Sequence, residues 1–142
     1  MSGDFIIRLI FGHIVGDYLL QNIWMAVDKK KEIIPCIIHC LIYTISICVF
    51  IFPEIIVKGI LDIIFILILV FMSHYILDAA TIVDKFLHLI GGRSWDNTKD
   101  LANKCFSTYE SNIIVSYTVL VHAGIDNGLH LIMLYFIFKF ML

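Results

Sequence analysis

The pattern His-x-x-x-Asp occurs three times, at His13/Asp17, His74/Asp78 and His122/Asp126, each time inside an apolar stretch of membrane-spanning length. An ionisable side chain at the centre of a membrane helix costs roughly 2.5–3.5 kcal/mol. Six of them restrict the chain to folds that turn these groups towards one another. On a helix, positions i and i+4 share a face, so each pair forms one polar patch.

The surrounding composition sets the solvent. The 142 residues are 61% hydrophobic and 15% charged, against about 45–50% and about 25% in soluble domains. This is the composition of an integral membrane protein, and the length suits a single transmembrane domain. A net charge of −2 offers no basic surface for nucleic acid. No signal peptide is read at the N-terminus, because Asp4 interrupts the positive region and Arg8, His13 and Asp17 break the apolar run.

Four spans of about 20 apolar residues can be drawn: residues 5–26, 33–52 (stopped by Pro53), 58–90 and 113–141, the third running towards Gly91 and Gly92. Strand alternation is absent. The expected fold is an all-α, integral membrane four-helix bundle with one polar loop at 91–112. Lys29, Lys30, Lys31, Lys85, Arg93, Lys99 and Lys104 flank one side, and Arg8, Lys58 and Lys139 the other. This imbalance places the basic loops in the cytoplasm and both termini outside.

Depth tests whether the pairs meet. At a rise of about 1.5 Å per residue, Asp17 and His122 fall ~13 Å, and His13 and Asp126 ~20 Å, from the cytoplasmic end. His39 and His74 fall at ~9 Å, with Asp78 and Gln21 nearer the mouth. Helices one and four are thus expected to form the heart of the layer, with His39 and the third pair as its entrance. Gly12/Gly16 and Gly124/Gly128, interleaved with the outer pairs, suit close helix packing or an oligomer contact.

Imidazole and carboxylate together suit zinc, iron or manganese. His13, Asp17, His39, His74, Asp78, His122, Asp126 and His130 are the candidate ligands, with Asp17, Asp78 or Asp126 available as a catalytic base. Surplus carboxylates would orient histidine rings. The same groups could instead relay protons or ions, or serve as interhelical hydrogen bonds.

The run Gly12-His13-Ile14-Val15-Gly16-Asp17-Tyr18-Leu19-Leu20-Gln21, followed by Trp24-Met25-Ala26 and a lysine cluster, resembles the N-terminal signature of a bacterial membrane family catalogued as a domain of unknown function (number 3307). That pattern is similar to H-x-x-x-D-[FY]-x-x-Q, a lysine-containing turn and a second-helix histidine, which His39 matches. A C-terminal D-Q-x-x-H resembles Asp126-Asn127-Gly128-Leu129-His130, with Asn127 in place of Gln. The resemblance spans nearly the whole chain and implies a small multi-helix protein of the bacterial inner membrane.

Gln21 and Asn127 are read as supporting polar groups. Cys36, Cys40, Cys48 and Cys105 are read as thiols without a disulfide, a cysteine ligand being the lesser option. His88 is read as a surface histidine. Glu54, Lys58 and Asp62 are read as an ion ladder along one helix. Loop 91–112, with Arg93, Trp95, Lys99 and Lys104, is either a lid selecting an anionic substrate or, the reading favoured, a solvated connection. The expected activity is a metal-dependent membrane hydrolase of a lipid-borne ester or phosphate, with zinc as the first choice of divalent metal. The alternatives are a proton or metal-ion carrier and a non-catalytic assembly protein.

Overall fold

The computed structural model describes residues 3–80, 82–91, 95–105 and 107–142, and these are helical without a strand. The elements are α1 (Gly3–Ile14), a π turn (Val15–Leu19), α2 (Ile23–Asp28), α3 (Ile33–Phe50), α4 (Phe52–Ile55), α5 (Ile60–Ala79), α6 (Ile82–Gly91), α7 (Trp95–Asn103) and α8 (Thr108–Met141). Three of them, α3, α5 and α8, are long and apolar enough to cross a membrane.

Two compact units are present. One comprises Met1–Ala80 with His130–Leu142, the other Thr81–Leu129. In the first, α3 buries Cys36, His39, Cys40, Tyr43 and Ile47 at helical spacing, and α5 buries Ile66, Val70, Ser73, His74, Leu77 and Asp78. The same stripe on each helix is therefore apolar at one end and polar at the other. Its apolar end packs with Phe5, Leu9, Leu134 and Phe138 into one core, and the Phe5 and Phe138 rings meet edge-on at 5.7 Å. The outward faces are also apolar: Ile37, Leu41, Ile45 and Val49 on α3, and Ile64, Phe65, Ile68 and Met72 on α5, are exposed. Such all-round hydrophobicity suits lipid.

Several expected spans are interrupted. The first is a 12-residue α-helix and a 5-residue π turn, separated from α2 at Leu20–Asn22. Asn22 causes the break, because its side chain accepts the Met25 amide at 2.9 Å and begins a new helix. Pro53 ends α3 as expected, but also opens the single turn α4. The third expected helix divides into α5, capped at Ala80, and α6. The loop expected at 91–112 contains α7. Gly92 and Arg93 lie outside the described residues. α8 starts before the expected Ile113, since the Ser107 hydroxyl accepts the Glu110 amide at 3.2 Å. Ser107-x-x-Glu110 is a capping-box sequence that marks this start.

The charges at the apolar end are also rearranged. Glu54 lies on α4 and Lys58 in the following turn, so the ladder with Asp62 does not form on one helix. Glu54 instead pairs with Arg8, and Lys58 Nζ reaches the Leu142 carbonyl oxygen at 3.4 Å. Gly12 and Gly16 pack against α3. A methyl group on Gly16 would meet Tyr43 Cδ2 at 2.9 Å.

Candidate metal centre

Asp17 sits on the π turn, which is closed by the Leu20 amide donating to the Val15 carbonyl at 2.9 Å. Such one-turn departures from α geometry re-aim side chains and recur at functional sites. Asp17 Oδ2 lies 3.3 Å from His13 Nδ1, while Oδ1 faces α3 and α5. It stands 3.2 Å from His39 Nε2 and 3.3 Å from His74 Nε2, and those two nitrogens are 2.9 Å apart. On their other side, Asp78 Oδ2 is 3.2 Å from His39 Nε2 and 3.4 Å from His74 Nε2. Two donor triangles thus share the His39–His74 edge. All four residues are buried.

The orientation of these groups is informative. Among the described residues, Asp17 Oδ1 accepts no well-directed hydrogen bond, although both Nε2 atoms are close. The Nδ1 atoms of His39 and His74 have no hydrogen-bond partner either, so both rings make their polar contacts through Nε2. Three ligands on a tetrahedral zinc at about 2.0–2.1 Å stand about 3.3–3.4 Å from one another. The Asp17–His39–His74 triangle, at 2.9–3.3 Å, is close to that size.

Further residues frame the triangles. His74 stacks on the Tyr43 ring with centroids 3.6 Å apart and planes at 14°, and the Tyr43 hydroxyl lies 3.1 Å from His13 Nδ1. His130 is buried with its ring centroid 4.4 Å from that of His74 and 5.7 Å from that of His13. Its Nε2 is 3.9 Å from Asp78 Oδ1. Cys40 Sγ groups with donor atoms of His74 and Asp78, all within 4.8 Å, so a cysteine for which a ligand role is the lesser option borders the second triangle.

Lys29, which carries an orientation signal in the sequence, also enters the centre. Residues 28–32 turn back from α2, and Lys29 Nζ reaches Asp78 Oδ2 at 2.9 Å and His39 Nε2 at 3.4 Å. Gln21 supports this turn. In the amide orientation that satisfies both neighbours, it donates to the Asp17 carbonyl at 2.6 Å and accepts from Lys29 Nζ at 3.3 Å. The lysine-containing turn after H-x-x-x-D-[FY]-x-x-Q was the available clue.

The structure therefore joins His13, Asp17, His39, His74, Asp78 and His130 in the larger unit. Within that unit, the closest convergence lies between the π turn, α3 and α5. His122 belongs to the smaller unit, where its Nδ1 is 3.4 Å from Asp84 Oδ1 on α6. Asp126 is half-buried on α8. Asn127 donates to the Ala123 carbonyl of its own helix at 2.6 Å. A methyl group on Gly124 or Gly128 would meet nothing within 4 Å among the described residues. His88 is exposed on α6.

These features define a helical protein with membrane-length apolar helices and a buried His/Asp centre. The chain belongs to the family described as protein of unknown function (DUF3307), whose model matches residues 5–142. No curated protein and no solved structure matches it.

Proposed function

We propose that this protein is a metal-dependent hydrolase embedded in the bacterial inner membrane as a four-helix bundle, acting on a lipid-borne ester or phosphate from the cytoplasmic side. The carrying observation is the donor triangle of Asp17 Oδ1, His39 Nε2 and His74 Nε2, at 2.9–3.3 Å and shielded from solvent. Three protein ligands leave a position open, the arrangement of a catalytic zinc. A divalent metal there supplies Lewis acidity and an acidified water. His13 holds the second oxygen of Asp17, and Tyr43 fixes the plane of His74. Asp78, on the far side of both imidazoles, accepts the proton of the attacking water. The water oxygen joins the acyl or phosphoryl centre, the ester bond breaks, and the alcohol leaves with a proton.

The carrier reading is weaker because the polar stripe stops. Beyond His13 and His130, the core of Leu9, Ile47, Val70 and Leu134 closes the larger unit, and a transport path needs polar groups through that layer. Turnover tests the hydrolase directly. Protein purified in detergent, chelated and reloaded with zinc, manganese or iron is expected to release phosphate from phosphatidic acid, or fatty acid from a phospholipid, only when metal is present. His74→Ala should abolish this. A loaded, folded protein that hydrolyses neither class rejects the assignment.

A further inference from the structure

The backbone around Lys29 is fixed by its own turn. The Lys29 amide donates to the Met25 carbonyl at 3.0 Å, and the Lys31 and Glu32 amides both donate to the Asp28 carbonyl at 2.9 Å. From this turn the side chain runs inward and is 13% exposed, against 2% for Asp78. Its ammonium group meets Asp78 Oδ2 at 2.9 Å, the Gln21 amide oxygen at 3.3 Å and His39 Nε2 at 3.4 Å. An ammonium group has three N–H donors and accepts nothing, so each donor has a partner. Carboxylate, amide oxygen and imidazole are also donors to divalent ions.

We propose that Lys29 is a tethered cation filling the second cation position of the centre, which limits the centre to one metal ion and keeps Asp78 a base rather than a ligand. This deepens the hydrolase reading and rests on it for the role of Asp78. When His39 Nε2 takes the ion of the Asp17 triangle, Asp78 and Gln21 remain as partners of the ammonium group. The position is otherwise furnished for a metal. Besides Asp78 and Gln21 it borders Cys40, whose Sγ lies within 4.8 Å of donor atoms of Asp78 and His74 and which is fully buried. Two-metal hydrolases hold their ions about 3.5–4 Å apart. A second divalent ion added beside the ammonium group would leave a large uncompensated positive charge in a buried centre. An ion that replaces the ammonium group, bound by Asp78, Gln21 and the deprotonated Cys40 thiol, leaves the same net charge as the wild type with one ion.

Full-length wild type, Lys29→Met, Lys29→Arg and Asp78→Asn in detergent are loaded with cobalt(II), desalted, and analysed for metal content, near-ultraviolet absorption and circular dichroism. Wild type and Lys29→Arg should keep about one ion per chain. Lys29→Met should keep about two, with a thiolate-to-cobalt absorption band that Cys40→Ser removes. Asp78→Asn should keep its ion while losing turnover, and this result decides the matter should Lys29→Met not fold. A folded Lys29→Met chain with one ion, a second ion without the thiolate band, a wild type with two ions, or a folded Asp78→Asn chain that loses its ion overturns the proposal. Any of these with metal-dependent turnover in the wild type leaves the hydrolase standing. A wild type that holds one ion but hydrolyses neither lipid class rejects the hydrolase alone.

Discussion

His39 Nε2 and His74 Nε2 face each other at 2.9 Å across α3 and α5, flanked on one side by Asp17 and on the other by Asp78. Two imidazole nitrogens so placed either share one proton or converge on a cation. The carboxylates on both sides favour a cation.

Tyr43→Phe keeps the ring stacked on His74 and removes only the hydroxyl 3.1 Å from His13 Nδ1. It should weaken metal affinity by about 10–100-fold, the usual effect of losing a group that orients a ligand. Competition with a chromophoric chelator measures this. Tyr43→Leu, which also removes the stack, should weaken it further.

Lys29→Met leaves Asp78 buried without its cation. Removing one partner of a buried pair costs about 3–5 kcal/mol, so the metal-free variant should melt well below the wild type in detergent. Added metal should raise its melting temperature, because a cation beside Asp78 replaces the missing ammonium group. A variant as stable as the wild type without metal would show that the 2.9 Å contact contributes little.

Gly16→Ala forces a methyl group to within 2.9 Å of Tyr43 Cδ2 and 3.2 Å of the Tyr43 Cα. Overpacking against backbone should destabilise by about 1–3 kcal/mol and disturb the tyrosine that supports His74. Gly124→Ala meets nothing within 4 Å among the described residues and should be neutral, or stabilising by up to about 1 kcal/mol through helix propensity. Thermal unfolding of the two variants side by side checks the contrast.

Much of this was legible in the sequence. The apolar runs and Pro53 mark α3 closely, and the His-x-x-x-Asp pairs name Asp17, His74 and Asp78. The arrangement was less legible, for specific reasons. Depth arithmetic assumed one straight helix through residue 26, whereas Asn22 caps a new helix and the π turn re-aims Asp17. Asp84 went unnoticed as a partner of His122 because residues 58–90 read as one continuous helix. Tyr43 reads as an apolar-face aromatic, since hydropathy cannot distinguish a ring stacked on imidazole from one packed on leucine. Lys29 carries an orientation signal and a side-chain contact in the same residue, and only the turn at 28–32 separates them.

The most direct test is the metal content of the detergent-purified protein and of His39→Ala and His74→Ala, by elemental analysis alongside circular dichroism. The account predicts about one zinc, iron or manganese ion per wild-type chain, lost from both variants while their helical signal remains. Wild-type protein with no metal above background after reloading, or folded variants that retain the full metal content, would contradict it.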